Sequence, residues 1–186
     1  MNCSEFRRFC VAVAISALAI GLVFNGCSRN PVNTSSTAPQ PQVLRRSGDI
    51  LAKIADDSLY AEKVISADSG GQLTLFDVNL SIPPGAVPHD TVFSIAIPDL
   101  SVFYNRFGTD GLVFSKPVTV TMSYRDADLS GVDESTIRIA WYDERTGDFN
   151  DVVCTIDFEK KVVTGKLNHF SAYALISDCI GGLPPG

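Results

Sequence analysis

The sequence predicts an all-β fold: an antiparallel β-sandwich of about eight or nine strands, preceded by an N-terminal signal helix and a disordered tether. Three observations lead there. Apolar residues recur at period two in several short runs, the residues between those runs have turn chemistry, and the connections are too short for the helical crossovers that parallel strands need. A chain of 186 residues is long enough for one such domain once a targeting segment is set aside.

Residues 1–26 have the layout of a lipoprotein-type signal peptide. Arg7 and Arg8 precede an apolar run from Phe9 to Phe24 whose only polar member is Ser16. A membrane span needs about 20 apolar residues, so this run has the length of a signal-peptide core. Gly26-Cys27 resembles the end of a bacterial lipobox, with Phe24 and Asn25 in place of the usual Leu and small residue. The resemblance implies that Cys27 is lipidated and becomes the N-terminal residue, held to the membrane by several acyl chains. Ser28, with no Asp at that position, resembles the outer-membrane sorting default.

Residues 27–46 are rich in Ser, Thr, Asn, Gln and Pro, with few apolar side chains, and read as a flexible linker. Residues 47–59 place Ile50, Leu51 and Ile54 at helical spacing, a short helix at most. Alternation begins after residue 60. Its clearest stripes are Val78-Leu80-Ile82, Val118-Val120-Met122-Tyr124, Ile137-Ile139-Trp141 and Val152-Cys154-Ile156-Phe158. Asp68-Ser69-Gly70-Gly71, Pro83-Pro84-Gly85, Asp128-Leu129-Ser130-Gly131 and Glu144-Arg145-Thr146-Gly147 punctuate them. Residues 178–186 form a tail.

Composition narrows the function classes. Net charge is -6, and loss of Arg7, Arg8 and Glu5 with the signal leaves 13 basic against 20 acidic side chains. Such a body repels phosphate backbones, so nucleic acid is excluded as a partner. No Gly-rich phosphate loop, dinucleotide fingerprint, nucleophile elbow or paired-His zinc motif occurs, so no cofactor is expected. Five cysteines include Cys154 and Cys179 in the body; their spacing does not suit zinc, and the two readings are one disulfide in an oxidising compartment or free cysteines as ordinary core residues.

Gly70-Gly71-Gln72-Leu73 followed by Leu80-Ser81-Ile82-Pro83-Pro84-Gly85-Ala86-Val87 resembles the opening of a ZU-five domain, the family of zonula occludens proteins, netrin receptors and ankyrins. Phe107–Phe114 with Pro117, and the closing His169-Phe170-Ser171-Ala172-Tyr173, extend the resemblance over residues 60–177. It implies a β-sandwich interaction module.

Three stretches carry candidate chemistry. In some relatives the His-Phe-Ser triplet supports self-cleavage; here that implies Ser171 attacking the Phe170 carbonyl with His169 as base, against the ordinary reading of a closing strand. Asp126, Asp128, Ser130 and Gly131 match the start of a calcium loop, but the twelfth position is Ile137, so a strand-connecting turn is the expectation and no metal is assigned. Trp141, Tyr142, Tyr104 and Phe103 are a candidate sugar platform, with Trp141 in core as the alternative. The resulting expectation is a non-catalytic, lipid-anchored module of the bacterial cell envelope, on the outer membrane. Its partners are the membrane, through Cys27, and an unidentified envelope protein or glycan.

Overall fold

A computed structural model describes residues 41–54 and 59–178. Within them twelve strands form two antiparallel sheets packed face to face, the sandwich that the alternation predicts. The number exceeds the expected eight or nine for identifiable reasons. A short strand, β1 (Pro41–Val43), lies inside the segment read as linker, and the residues before Phe158 split into two strands.

The first sheet runs β2 (Leu59–Ile65), β5 (Thr91–Ile97), β6 (Tyr104–Gly108), β12 (Ala172–Asp178), β8 (Arg138–Asp143) and β9 (Asp148–Asp151), with β1 beside the end of β12. The second runs β10 (Cys154–Asp157), β11 (Val162–His169), β7 (Val113–Ser123), β4 (Val78–Ile82) and β3 (Gly71–Leu75). Inward residues of both sheets interdigitate: Phe93, Ile95, Phe107, Ile139, Tyr173 and Leu175 face Leu80, Val118, Val120, Met122, Val163 and Leu167. Each is fully buried, at roughly 1.5–3 kcal/mol per large side chain. Register in the β11–β7 pair shifts between Leu167 and His169, opposite the stretch where Pro117 lacks a ladder donor.

β9 belongs to the first sheet and β10 to the second, with Val152-Val153 carrying the chain between them. The stripe Val152-Cys154-Ile156-Phe158 therefore spans a sheet-to-sheet crossing rather than one strand. Its first three members pack on the core and Phe158 is exposed.

The segment 41–46 differs most from the sequence reading. Val43 pairs with Ile176, and the Leu44 N–H and C=O bond Leu175 and Phe103. Leu44 is in the core, and Arg46 is buried although it is a charged residue in a polar tract. The Arg46 guanidinium donates to Asp77 Oδ2 at 2.7 and 3.2 Å and to the carbonyls of Leu100 and Val102. Its carbon lies 4.1 Å from the Phe103 ring centroid. Burial outweighs the guanidinium at Asp77 and pushes that carboxyl above its usual range; its second oxygen, Oδ1, is buried without a partner. Residues 41–46 are thus a strap clamped into the sandwich, and α1 (Gly48–Leu51) is a single turn after it. The expected signal peptide, Cys27 and residues 28–40 of the expected linker lie outside the described residues, as does the tail beyond Asp178.

The Ile82-Pro83-Pro84-Gly85-Ala86 block ends β4 and turns the chain. Ala86 and Val87 are buried beneath it, and Gly70 (φ +66°) sits against its backbone. A Cβ on Gly70 would lie 2.2 Å from the Ile82 carbonyl oxygen, so both the left-handed backbone and the contact demand glycine.

Candidate functional site

The outer face of the first sheet is unusual for a solvated surface. Strand alternation sends Tyr60, Ala96, Arg106, Ala172, Tyr142 and Phe149 to that face, and the registers align them as one transverse row: Tyr60 opposite Ala96, Ala96 opposite Arg106, Arg106 opposite Ala172, Ala172 opposite Tyr142, Tyr142 opposite Phe149. In the middle the side chains are small, and they floor a trough of about 200 Å³ edged by Arg106, Asp110 and Glu144. At one end Tyr60 stands 61% exposed, and Val64 and Val92, also exposed, pair with each other four residues farther along the same two strands. At the other, Tyr142 packs against Tyr104 and Phe149 over a small outer cluster of Ala140, Ala174 and Ile176.

Charge on this face is organised. Arg106 pairs with Glu144 across 38 residues of sequence, both side chains more than half exposed, so the pair orients rather than stabilises. The Tyr60 hydroxyl donates to Glu62 at 2.6 Å, and that bond to a carboxylate raises the phenol's pKa. Burial raises that of Tyr104.

Tyr104 and Tyr142 share the outer face, whereas Phe103 is buried in the core and Trp141 packs against it, so the four aromatics do not form one platform. The Trp141 ring meets His169 edge-to-face at 5.4 Å and lines a separate hollow of about 370 Å³ with Pro117 and Lys166. Ser171 lines the outer trough instead, while His169 lines the Trp141 hollow and its Nδ1 lies 3.4 Å from the Phe170 carbonyl oxygen. Among the described residues no hydrogen bond joins the Ser171 hydroxyl to the imidazole. The Phe170 side chain is fully buried, its N–H bonds the Leu112 carbonyl, and its own carbonyl accepts from Gly111.

Asp126, Asp128 and Ser130 serve the strap. The Ser47 N–H donates to the Asp126 carbonyl and the Asp128 N–H to that of Arg45, while the Asp128 side chain accepts from the Ser130 N–H at 3.0 Å. That last bond holds the Asp128 carboxyl below its usual range. Among the described residues no group of three His, Cys, Asp or Glu side chains is arranged to hold a metal ion. Cys154 is half-buried beside Gly165 and Ile139; Cys179, its candidate disulfide partner, lies outside the described residues.

Tyr60, Arg106, Glu144 and Phe149 escape the sequence reading. For Tyr60, Arg106 and Phe149 the only signal is the outward phase of strands whose inward phase is apolar, and Glu144 lies in the turn between β8 and β9. No protein-family model matches the chain, and no curated protein matches it in sequence.

Proposed function

We propose that this chain is a lipid-anchored protein of the bacterial cell envelope, on the outer membrane, which presents a non-catalytic ZU-five-like sandwich as an interaction module. The observation that carries the reading is the order of its parts: an apolar run of signal length, Gly26-Cys27, a Ser/Thr/Pro-rich stretch, then a sandwich whose first strand starts at Pro41. Residues 28–40 can reach at most about 45 Å from an anchored cysteine when fully extended. The strap favours the same reading, because a pull on the chain ahead of Pro41 arrives at a segment held by backbone bonds, by Leu44 and by the Arg46–Asp77 pair. On the domain, the binding surface is the outer face of the first sheet.

Replacement of Cys27 by Ala tests the anchoring. Fractionation should move the protein from detergent-extracted membranes to the soluble fraction, and unchanged membrane association would overturn the proposal.

A further inference from the structure

The geometry points to an extended, uncharged glycan chain as the ligand of the outer face of the first sheet, seated in the trough between Tyr60 and Tyr142. The inference rests on the reading of the domain as an interaction module and supplies the chemistry of its partner.

Shape comes first. The trough holds about 200 Å³, less than the roughly 300–1,000 Å³ of sites that enclose drug-sized ligands. It therefore admits one ring-sized unit, with the rest of the ligand lying on the sheet to either side. Its floor is made by Ser94, Ala96, Gly108, Ser171 and Ala172, and a Cβ on Gly108 would meet Ser94 Oγ at 2.4 Å. The Ser94 hydroxyl therefore covers the backbone at Gly108 and is itself a polar group of the floor. Tyr60 and Tyr142 lie four inter-strand steps apart, about 19 Å at the usual strand spacing. A single monosaccharide cannot touch both; a chain of linked rings can.

Tyrosine combines a flat apolar face with a polar tip, which suits the C–H face of a sugar ring bordered by hydroxyls. Between the tyrosines, the Arg106 guanidinium offers donors beyond those that Glu144 occupies, and the Glu144 and Asp110 carboxylates offer acceptors. Hydroxyl groups donate and accept, so a polyol satisfies both kinds at once. Charge then selects among glycans. One guanidinium against two carboxylates in the trough, with Glu62 nearby, on a chain of net charge -6, repels phosphorylated or uronic-acid polymers and leaves neutral ones.

The test is calorimetric titration of the full chain, held in a detergent without a sugar headgroup. Probes are hexamers of α-linked glucose, β-linked glucose and β-linked N-acetylglucosamine, with a uronic-acid hexamer as the anionic counterpart. At least one neutral hexamer should bind, and its glucose or N-acetylglucosamine monomer should bind far more weakly. Tyr60→Ala and Arg106→Ala should each weaken binding about tenfold, the cost of losing a hydrogen bond to a charged group or a comparable contact. Val113→Ala, at an exposed position on the other sheet, should leave it unchanged, with all three variants melting like the parent. The inference is overturned if no neutral hexamer binds, if Tyr60→Ala and Arg106→Ala bind like the parent, or if the uronic-acid hexamer binds more tightly than the neutral ones. Any of those results leaves anchoring untouched, since fractionation of Cys27→Ala reads the anchor alone.

Discussion

Removal of the Arg46 side chain should destabilise the domain severely, although the residue belongs to a segment that looks like linker. Its side chain is wholly buried against an Asp77 side chain only 7% exposed. Arg46→Met keeps the aliphatic stem against Phe103 but strands the Asp77 carboxylate, whose Oδ1 already lacks a partner. Breaking a buried pair from one side costs about 3–5 kcal/mol, because the surviving charge stays desolvated. Against a total of roughly 5–15 kcal/mol for a domain, that is a large share. In melting temperature it amounts to roughly 10–20 °C for a domain of this size. Urea unfolding of the parent and the variant, compared at equal slope, measures the loss. The double variant Arg46→Met/Asp77→Leu removes both charges and should recover most of it. A loss below about 1 kcal/mol in the single variant, or a double variant as unstable as the sum of the singles, would refute the assignment of the strap as part of the fold.

Gly70→Ala should cost more than the roughly 1 kcal/mol of an ordinary glycine replacement, because a methyl 2.2 Å from the Ile82 carbonyl oxygen forces the Pro83-Pro84 turn to move; an unchanged urea midpoint would contradict this. Acid should weaken the domain: hydrogen bonds from Ser101, Ser130, Ser135, Lys160 and Lys161 hold Asp99, Asp128, Asp133, Asp157 and Glu134 below their usual values. Carboxyls depressed in the folded state add stability above their unfolded values near 4, and lose it as pH falls through the folded ones. Asp77, raised by burial, works in the opposite direction and makes the decline shallower. A urea midpoint that does not fall between about pH 6 and pH 3 would refute this balance. The purified chain should also give no fragment that begins at Ser171, since His169 and Ser171 line different hollows; such a fragment in a mass spectrum would establish self-cleavage.

The parts legible in the sequence are those where one strand's pattern suffices. Val118-Val120-Met122 and Ile137-Ile139 alternate, and their apolar phase faces the core as period two requires. What stayed hidden depends on partners distant in sequence. Arg46 is buried because Asp77, 31 positions away, and the carbonyls of Leu100 and Val102 satisfy it; a polar tract gives no sign of that. The aromatics show the same limit. Trp141 and Tyr142 are neighbours on β8 and point to opposite faces, yet only the second sheet determines which side is interior. The proposed binding face was therefore legible only as two of its tyrosines, and the register that aligns Tyr60, Arg106 and Tyr142 comes from pairings between five strands.

Intact-mass spectrometry of the protein extracted from membranes of a bacterium that expresses the full chain tests the central claim most directly. A chain that starts at Cys27 and carries the added mass of thioether-linked diacylglycerol, with or without an N-terminal acyl chain, is the predicted result. A chain that retains residues 1–26, or that starts elsewhere without lipid, would contradict it.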